Sequence, residues 1–378
     1  MKNDLKSELD ILMIGSLPPP VGGARVAFQH ILNELNNRER IKVSVISTWP
    51  AGNGILRKMP YALNTTLRTL LKAKQASVIT FFAARGGIIF WAPFLHFIAR
   101  LLGKPWILRV FGGGFDLTYT ELPRWAKVWV RKTSLSADIV LFQTKHLVEY
   151  FENISHKKNI LLHSNFRPLE ELEPRLGRQR CNRFVFMGKV KASKGVKEII
   201  QASHLLDQNV EIHIFGPLED GMQEIDFEDC DKVTYCGILP PDDVIPALRR
   251  YDALLLPTYY KDEGYPGIII EAYSVGIPVI ASRWRAITEI VDESSGILVT
   301  PKDPVDLATA MQSLVKDEQL YRQLCQGAWE KRRDFSLELW TDKFIEYCKA
   351  AISGEVSRYA ERGPQKRRSS EGDNEVNA

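Results

Sequence analysis

The sequence predicts an α/β protein of two doubly wound domains that face each other across a cleft. Its 378 residues are more than a single hydrophobic core normally supports, and they suit two domains. Short apolar runs such as "ILMIG", "KVSVIS" and "DIVLFQT" alternate with amphipathic stretches, and the same rhythm restarts at "RFVFMG" and "VEIHIFG". This alternation is typical of parallel strands joined by helices. Each series therefore predicts one parallel sheet covered by helices.

The segment between the two series, residues 166–180, reads "FRPLEELEPRLGRQR" and lacks strand character, which predicts a linker. We predict an N-terminal Rossmann-like domain over 1–168 and a C-terminal Rossmann-like domain over 169–334. Apolar residues at helical spacing predict a final helix over 335–353. The remaining residues, 354–378, are mostly polar with mixed charge and predict a disordered tail.

Composition and charge favour a cytoplasmic globular protein. The net charge of +4 is too small by itself to indicate a nucleic-acid partner. The five cysteines form no CxxC pair, which predicts a reducing compartment and no structural zinc. The N-terminal stretch is too acidic for a secretory signal. The most apolar run, residues 86–103, is interrupted by Pro93, His96 and Arg100, so we expect a core or interfacial helix instead of a membrane span.

Two glutamates, Glu263 and Glu271, flank a glycine- and proline-bearing apolar run that follows the strand-like "DALLLPT". Pro266 suits the first position of a helix, and Gly276 suits its end. A helix that begins there lies beyond the carboxyl end of a strand, where ligands bind in doubly wound sheets. The sequence thus predicts a short helix that starts at the cleft.

The first turn of this helix predicts a phosphate site. The N–H groups of Gly267 and Ile268 have no partner within the helix and lie at its positive dipole end. Glu271 lies one turn further on the same side, where its carboxylate can accept two hydrogen bonds from a ribose diol. In the alternative interpretation, Glu263 is a solvated loop residue and Glu271 only complements the helix dipole.

Two further loops carry candidate ligand contacts. Lys194, in "KASKG", follows the strand-like "RFVFMG" and projects at that strand's carboxyl end, although most lysines in loops are only solvated. Gly22 and Gly23 lie between a strand and a helix and permit close approach of the backbone to a ligand. The pair does not form a GxGxxG fingerprint, and no acid ends the next strand, so a tight turn is the alternative.

Three segments of the second domain resemble the family 4 glycosyltransferases, which are retaining enzymes of the GT-B fold. The spacing of Glu263 and Glu271, followed by "GIPVIAS", is similar to the paired-glutamate signature of that family. The stretches "FVFMGKVKASKGVKEIIQA" and "GILVTPKDPVDLATAM" resemble two other segments of the same family. The likeness covers nearly the whole C-terminal domain.

The resemblance implies a role for each matching residue. Glu263 would contact the donor sugar, Glu271 the ribose, and Lys189 and Lys194 the diphosphate. Lys189 stands where the family usually has an arginine, so a point charge replaces a bidentate phosphate contact. The family's last helix crosses back onto the first domain, which implies the same for residues 335–353.

The resemblance also implies where the nucleotide's other groups bind. The backbone around Gly237 and Ile238 would hold the nucleobase, because "GILPPDDVIPAL" resembles the family's base-contacting loop. The Gly22–Gly23 loop would cap the donor phosphates from across the cleft.

The acceptor side is predicted from "RVFGGGFD". The family often has a histidine at this point, and this chain has Phe111 and three glycines, so we assign no general base. Asp116 either orients an acceptor hydroxyl or forms an Asx turn or helix cap. A DxD pair at Asp229 and Asp231 precedes a strand instead of ending one, which favours a surface turn over a metal site.

These features together predict a retaining glycosyltransferase. It would move a sugar from a UDP-sugar or GDP-sugar to a glycan or lipid-linked acceptor in bacterial surface polysaccharide or lipopolysaccharide synthesis, without a catalytic metal. The first alternative is a GT-B-type sugar-nucleotide epimerase, which would add water. The second is a non-catalytic nucleotide-sugar binding protein, indicated by the missing histidine of the first domain.

Charge in the first domain predicts a membrane-facing surface. Residues 40–115 contain no Asp or Glu. The cations and aromatic residues of this run include Arg57, Lys58, Arg68, Lys72, Lys74, Arg85, Arg100, Lys104, Arg109, Phe90, Trp91, Phe94 and Phe97. A basic surface beside aromatic residues suits peripheral attachment to anionic lipid. The alternative is that the aromatic residues are core and the cations are solvated; nucleic acid is disfavoured because no binding motif is present.

Overall fold

The computed structural model describes residues 9–19, 22–48, 68–169, 180–206, 209–228 and 230–356. Several features discussed above lie outside these ranges, namely Arg57, Lys58, Asp229, residues 170–179 of the linker and residues 357–378 of the tail.

The first six strands form one parallel sheet in the order β2-β1-β3-β4-β5-β6. Their bounds are β1 Leu9–Gly15, β2 Ile41–Ser47, β3 Val78–Ala83, β4 Trp106–Val110, β5 Ile139–Phe142 and β6 Ile160–Leu162. The labelled helices of this half are α1 Gly23–Asn36, α2 Arg85–Leu101, α3 Phe115–Glu121, α4 Arg124–Lys132 and α5 Lys145–Ser155. Residues 68–75 are also helical.

The second six strands form another parallel sheet in the order β12-β11-β10-β7-β8-β9. Their bounds are β7 Arg183–Met187, β8 Glu211–Phe215, β9 Val233–Tyr235, β10 Ala253–Leu256, β11 Val279–Ser282 and β12 Gly296–Val299. The helices are α6 Val196–Ser203, α7 Val244–Leu248, α8 Gly267–Ser274, α9 Pro304–Lys316, α10 Glu318–Lys331 and α11 Leu337–Ser353. The predicted architecture of two doubly wound sheets is confirmed.

The central strands are apolar runs because helices cover both faces of each sheet. Every residue of β3, β4, β5 and β10 is buried, as expected for strands of a parallel sheet. Arg109, in the middle of β4, is only 1% exposed, so its inclusion in a basic surface was wrong. Its Nε atom donates to His163 Nδ1 at 2.8 Å, and burial lowers its pKa to about 9.

The strand orders place the topological switch points. In the second sheet β8 and β9 extend to one side of β7, and β10 lies on its other side. In the first sheet β2 and β3 flank β1. Ligands in doubly wound sheets bind beyond the carboxyl ends of the strands at such points. A ligand site is therefore expected at the loops after β7 and β10.

Helix α11 packs on the first domain. Trp340 and Phe344 belong to a buried cluster with Phe28 and Phe82, and the Phe82 and Phe344 ring centroids lie 5.5 Å apart. The Tyr347 hydroxyl donates to the Leu162 carbonyl at 2.8 Å. The chain thus returns from the second domain and completes the core of the first.

Neither a membrane-spanning helix nor a metal-binding group is found among the residues that the structure describes. No helix within those ranges combines the length and apolarity needed to cross a bilayer. In the same part of the chain, no three His, Cys, Asp or Glu side chains are grouped to hold a metal ion. Asp231 precedes β9.

Candidate functional site

Two loops meet at the switch point of the second sheet. One follows β7 (188–195) and the other follows β10 (257–266). Gly195 has φ +79°, and a Cβ atom there would lie 2.1 Å from the Pro257 carbonyl oxygen. The backbone N–H of Tyr259 donates to the Ser193 carbonyl at 2.9 Å. Glycine at this position therefore lets the two loops touch, which brings their side chains together.

Lys194 and Glu263 form the central ion pair of these loops. Lys194 Nζ donates to Glu263 Oε2 at 2.5 Å, and the two side chains are only 15% and 9% exposed. The Thr258 hydroxyl donates to the same carboxylate oxygen at 2.8 Å. The ammonium also lies 5.1 Å from the centroid of the Tyr260 ring. The pair is held at the carboxyl ends of β7 and β10 with little freedom to move.

Lys189 is not brought to this pair. Its ammonium donates to Glu219 Oε1 at 2.7 Å, and 59% of its side chain is exposed. Lys191, which the sequence analysis did not select, is only 12% exposed and lies 4.3 Å from the Tyr260 ring centroid. Lys191 and Lys194 therefore share one aromatic ring, while Lys189 lies toward solvent.

Helix α8 begins one residue later than predicted. Pro266 is its N-cap residue and Gly267 its first helical residue, because Ile269 N donates to the Pro266 carbonyl at 3.2 Å. The helix ends before Gly276, which has φ +72° as predicted for a glycine stop. Gly267 and Ile268 thus occupy the first turn, where the helix dipole is positive.

Glu271, one turn into α8, forms the second ion pair. Arg167 Nε donates to Glu271 Oε1 at 2.5 Å, and the side chains are 11% and 20% exposed. A Cβ atom at Gly267 would lie 1.7 Å from Arg167 Nη2, so this glycine makes room for the guanidinium. Burial and the nearby Arg167 charge lower the pKa of His30 on α1, while the Glu271 charge opposes this shift.

Arg167 was not predicted from the sequence. It lies five residues after the end of β6 and inside the segment interpreted as a linker. The available signal was a lone cation within a few residues of a strand's carboxyl end, which is weak without the strand assignment.

The three glycines after β4 lie against the β10 loop across the cleft. A Cβ atom at Gly113 would lie 2.1 Å from the Glu263 carbonyl oxygen, and one at Gly114 would lie 2.3 Å from Asp262 Oδ1. Gly113 N donates to the Asp262 carbonyl at 3.2 Å. Gly113 and Gly114 are therefore explained by close approach of the two domains, beside the Lys194–Glu263 pair, whereas Gly112 has φ +94° and a Cβ atom there would meet no atom within 4 Å.

Asp116, in the first turn of α3, joins the domains. Its carboxylate accepts from Arg285 Nη2 at 2.7 and 2.9 Å, and His146 Nε2 lies 3.0 Å away. Burial alone would raise the pKa of Asp116, but hydrogen bonds from Arg285 and His146 lower it below its usual value. Arg285 has φ +45°, a conformation unfavourable for a side chain with a Cβ atom. Asp116 was a candidate from the sequence, whereas Arg285 and His146 were not.

Glu289 makes a second interdomain contact. It accepts from the backbone N–H groups of Lys145 and His146 at 2.7 and 3.0 Å and so caps helix α5 from the other domain. The Tyr265 hydroxyl donates to the same carboxylate at 2.5 Å. Tyr265 precedes Pro266, so this contact connects the start of α8 with the first domain.

The glycines assigned to the nucleotide occupy open backbone positions. Gly22 is the N-cap residue of α1 and Gly23 is its first helical residue, and a Cβ atom at either would meet no other atom within 4 Å. Gly237 follows β9 with φ +75°, and its carbonyl accepts from Gly216 N at 2.8 Å. The next residue, Ile238, is 68% exposed.

Comparison with known proteins gives a family for the second domain. Residues 181–317 match the family model described as "Glycosyl transferases group 1". Over these residues the chain is similar to the group 1 glycosyltransferases. The matched segment contains both loops at the switch point and all of α8, and the family resemblance stated from the sequence is confirmed.

Sequence relatives carry glycosyltransferase names. The chain is 30% identical over 148 residues to a D-inositol 3-phosphate glycosyltransferase of Corynebacterium kroppenstedtii, a match that covers 35% of this chain and 32% of that protein. It is 21% identical over 260 residues to the alpha-D-kanosaminyltransferase of Streptomyces kanamyceticus, with 62% and 67% covered. The chain thus spans about a third of the first relative and two thirds of the second.

A solved structure shares the fold of both domains. The Anabaena protein Alr3699/HepE, crystallised with UDP, superposes with a TM-score of 0.71 at 15% identity over 90% of this chain and all of that one. Together with the two sheets described above, this likeness confirms the GT-B fold.

Proposed function

We propose that the protein transfers a sugar from a nucleoside-diphosphate sugar to a hydroxyl group of an acceptor, with retention of configuration. The observation that carries the proposal is the Lys194–Glu263 pair, held 2.5 Å apart at the switch point of a group 1 glycosyltransferase domain. The first turn of α8 begins four residues after Glu263. A cation, a carboxylate and a helix N-terminus at one strand edge suit a donor with a diphosphate and a polyhydroxyl sugar.

In the proposed reaction, charge develops in two places. The bond between the sugar's anomeric carbon and the diphosphate oxygen breaks, which leaves negative charge on the phosphate and oxocarbenium character on the sugar. Lys194, with Lys191 nearby and the α8 N-terminus, would stabilise the phosphate without reorganisation. Glu263 would accept a hydrogen bond from the donor sugar.

The acceptor hydroxyl would attack on the face that the diphosphate leaves. A new bond forms between its oxygen and the anomeric carbon, and its proton passes to the leaving phosphate oxygen. This route needs no nucleophilic carboxylate, and it needs no general base at Phe111. Glu271 would hold the ribose diol, while Arg167 would add positive charge beside the diphosphate.

The donor and acceptor classes are part of the same proposal. UDP in the structure of Alr3699/HepE favours a UDP-sugar, with a GDP-sugar as the other choice. We propose a glycan or lipid-linked acceptor of bacterial surface polysaccharide synthesis, reached from a peripheral position on the inner face of the plasma membrane. The apolar and basic helices of the first domain, described below, support the membrane location.

The decisive experiment is donor turnover with and without acceptor. The purified protein is incubated with a panel of UDP- and GDP-sugars, and released nucleotide and sugar products are separated by chromatography. Transfer predicts nucleotide release that rises strongly when a membrane lipid extract or glycan acceptor is added, with the anomeric configuration of the donor kept in the product.

Two other outcomes would contradict the proposal. Release of nucleotide together with an epimerised free sugar, independent of acceptor, would indicate a sugar-nucleotide epimerase. Saturable donor binding with no turnover for any donor and acceptor pair would indicate a binding protein, as the absence of a histidine at Phe111 would suggest.

A further inference from the structure

Helix α2 exposes an apolar stripe that the fold does not use. Phe90, Phe97 and Leu101 follow each other at spacings of seven and four residues, which places them on one helix face. Phe90, Phe97 and Leu101 are 76%, 55% and 79% exposed. The opposite face already packs in the core of the first domain. A helix that is apolar on all sides normally has a second apolar environment.

Helix α4 extends the same surface. Trp125, Val128 and Trp129 are 73%, 42% and 41% exposed, while Ala126 and Val130 are buried on the helix's inner face. The Phe97 and Trp129 ring centroids lie 5.9 Å apart, so the two exposed faces are continuous. Between them lies a groove of about 600 Å³. Soluble monomers seldom expose a connected patch of this kind without a partner.

Charge around the patch identifies the chemistry of the partner. Neither helix contains an Asp or Glu. Arg124, Arg131 and Lys132 are exposed on α4 beside the two tryptophans. Arg100 on α2 forms an ion pair with Asp138 at 3.5 Å, so its charge is partly engaged. Aromatic side chains flanked by cations with long apolar stems are what the headgroup region of an anionic bilayer accommodates.

We propose that α2 and α4 form the face with which this protein lies on an anionic lipid bilayer. Trp125, Trp129 and Phe97 enter the interface between headgroups and acyl chains, and the α4 cations contact the lipid phosphates. This face does not include Arg68, Lys72 and Lys74, which lie in the helix over residues 68–75. The Lys72 ammonium donates to the Val45 carbonyl at 3.2 Å and is therefore already engaged within the fold.

The position of the face also fits an acceptor that stays in the membrane. Helix α2 begins two residues after β3 ends, at the carboxyl edge of the first sheet, and so starts on the cleft side of the domain. Attachment itself is independent of transfer chemistry, whereas its use in reaching a lipid-linked acceptor rests on the proposed function.

Sedimentation with vesicles tests the proposal. Binding to vesicles of phosphatidylcholine with phosphatidylglycerol should exceed binding to phosphatidylcholine alone and should fall with salt. The variant R124Q/R131Q/K132Q should partition about a hundredfold less, at roughly fivefold for each cation. The variant W125S/W129S should lose binding to both vesicle types.

Matched control variants remove exposed apolar or cationic side chains from the second domain. I225S/V305S deletes two side chains that are 63% and 61% exposed on the second domain, and R249Q/K316Q/R322Q removes three exposed cations there. Both controls should bind vesicles like the unchanged protein. Circular dichroism and turnover with a water-soluble acceptor analogue should be unaltered in all four variants, so a failed transfer proposal is recognised separately.

Three results would overturn the assignment. One is equal partitioning to neutral and anionic vesicles, or none to either. Another is equal loss of binding in the control and test variants. The third is a dimer in solution that W125S/W129S converts to a monomer, because the face would then bind a second copy of the chain.

Discussion

The two acids that attract attention in the sequence form ion pairs of similar length and different kind. Glu263 pairs with Lys194 and Glu271 with Arg167, both at 2.5 Å. The first pair lies between two loops of a single domain, and Thr258 also binds Glu263. The second pair joins α8 to the segment that connects the domains. The Lys194–Glu263 pair thus lies within one domain, whereas the Arg167–Glu271 pair lies at the junction between the domains.

The backbone around Arg167 explains the difference. Arg167 N donates to the Phe335 carbonyl at 3.0 Å, and Leu337 N donates to the Arg167 carbonyl at 2.8 Å. The chain's first and second crossings between domains therefore touch at Arg167. Movement of one domain against the other would disturb the Arg167–Glu271 pair and leave the Lys194–Glu263 pair intact.

The largest expected effect comes from the pair within one domain. Lys194→Ala and Glu263→Ala should each lower kcat/KM by about a hundredfold or more, because each removes a preorganised group at the reacting centre. Lys189→Ala is the matched control: its ammonium is exposed and bound to Glu219, and we expect only a few-fold change.

Steady-state kinetics of these three variants test whether Lys194 and Glu263 lie at the reacting centre, and thermal melting checks that each variant folds. The folding check is needed because removing one member of the ion pair leaves the other as a poorly solvated charge. Near-normal turnover in a folded Lys194→Ala protein, or an equal loss in Lys189→Ala, would contradict the site.

The fold was predictable because its signals are local. The inner strands of a covered parallel sheet are apolar runs, and glycine or proline begins several of the loops, as after β7, β8 and β10. Lys194 and Glu263 were predictable for the same reason, since each follows a strand closely and matches a family segment. Pro266 was placed one position too far into the helix, because its fixed φ suits both the N-cap and the first helical residue.

The remaining site residues depend on contacts between distant segments. Arg285 approaches Asp116 from 169 residues away, and Glu289 reaches the start of α5 from more than 140 residues away. Nothing in the local sequence distinguishes such residues from solvated charges. Arg109 shows the reverse error: its position in a run of cations suggested a surface, but it lies in β4, an inner strand whose residues are all buried.

A smaller effect should separate the two glutamates by kinetic parameter. Glu271→Gln should raise the donor KM with a modest loss of kcat, because a ribose contact is nearly uniform between ground and transition states. Glu263→Gln should mainly lower kcat. The measurement is a donor titration at saturating acceptor. The reverse pattern would mean that Glu271 takes part in chemistry and would remove the distinction between the pairs.

The smallest expected effect concerns Asp116, where two roles compete. In one role Asp116 is a latch, meaning that its contact with Arg285 holds the two domains together. Asp116→Asn and Arg285→Gln should then each raise the donor KM a few-fold, and the double variant should resemble either single variant. If Asp116 orients the acceptor, Asp116→Asn alone should raise the acceptor KM. Arg322→Gln, an exposed arginine of the second domain, controls for charge loss.

Solution scattering and pH supply an independent readout of the latch. The unchanged protein should become more compact when donor nucleotide is added, and the Asp116→Asn protein less so. The folded-state pKa of Asp116 is lowered, so its contribution to closure is fully present above the ordinary carboxyl pKa and is lost as the pH falls through the lowered value. Asp116→Asn should therefore remove part of the acid-induced opening, and an unchanged acid transition would exclude the latch as its cause.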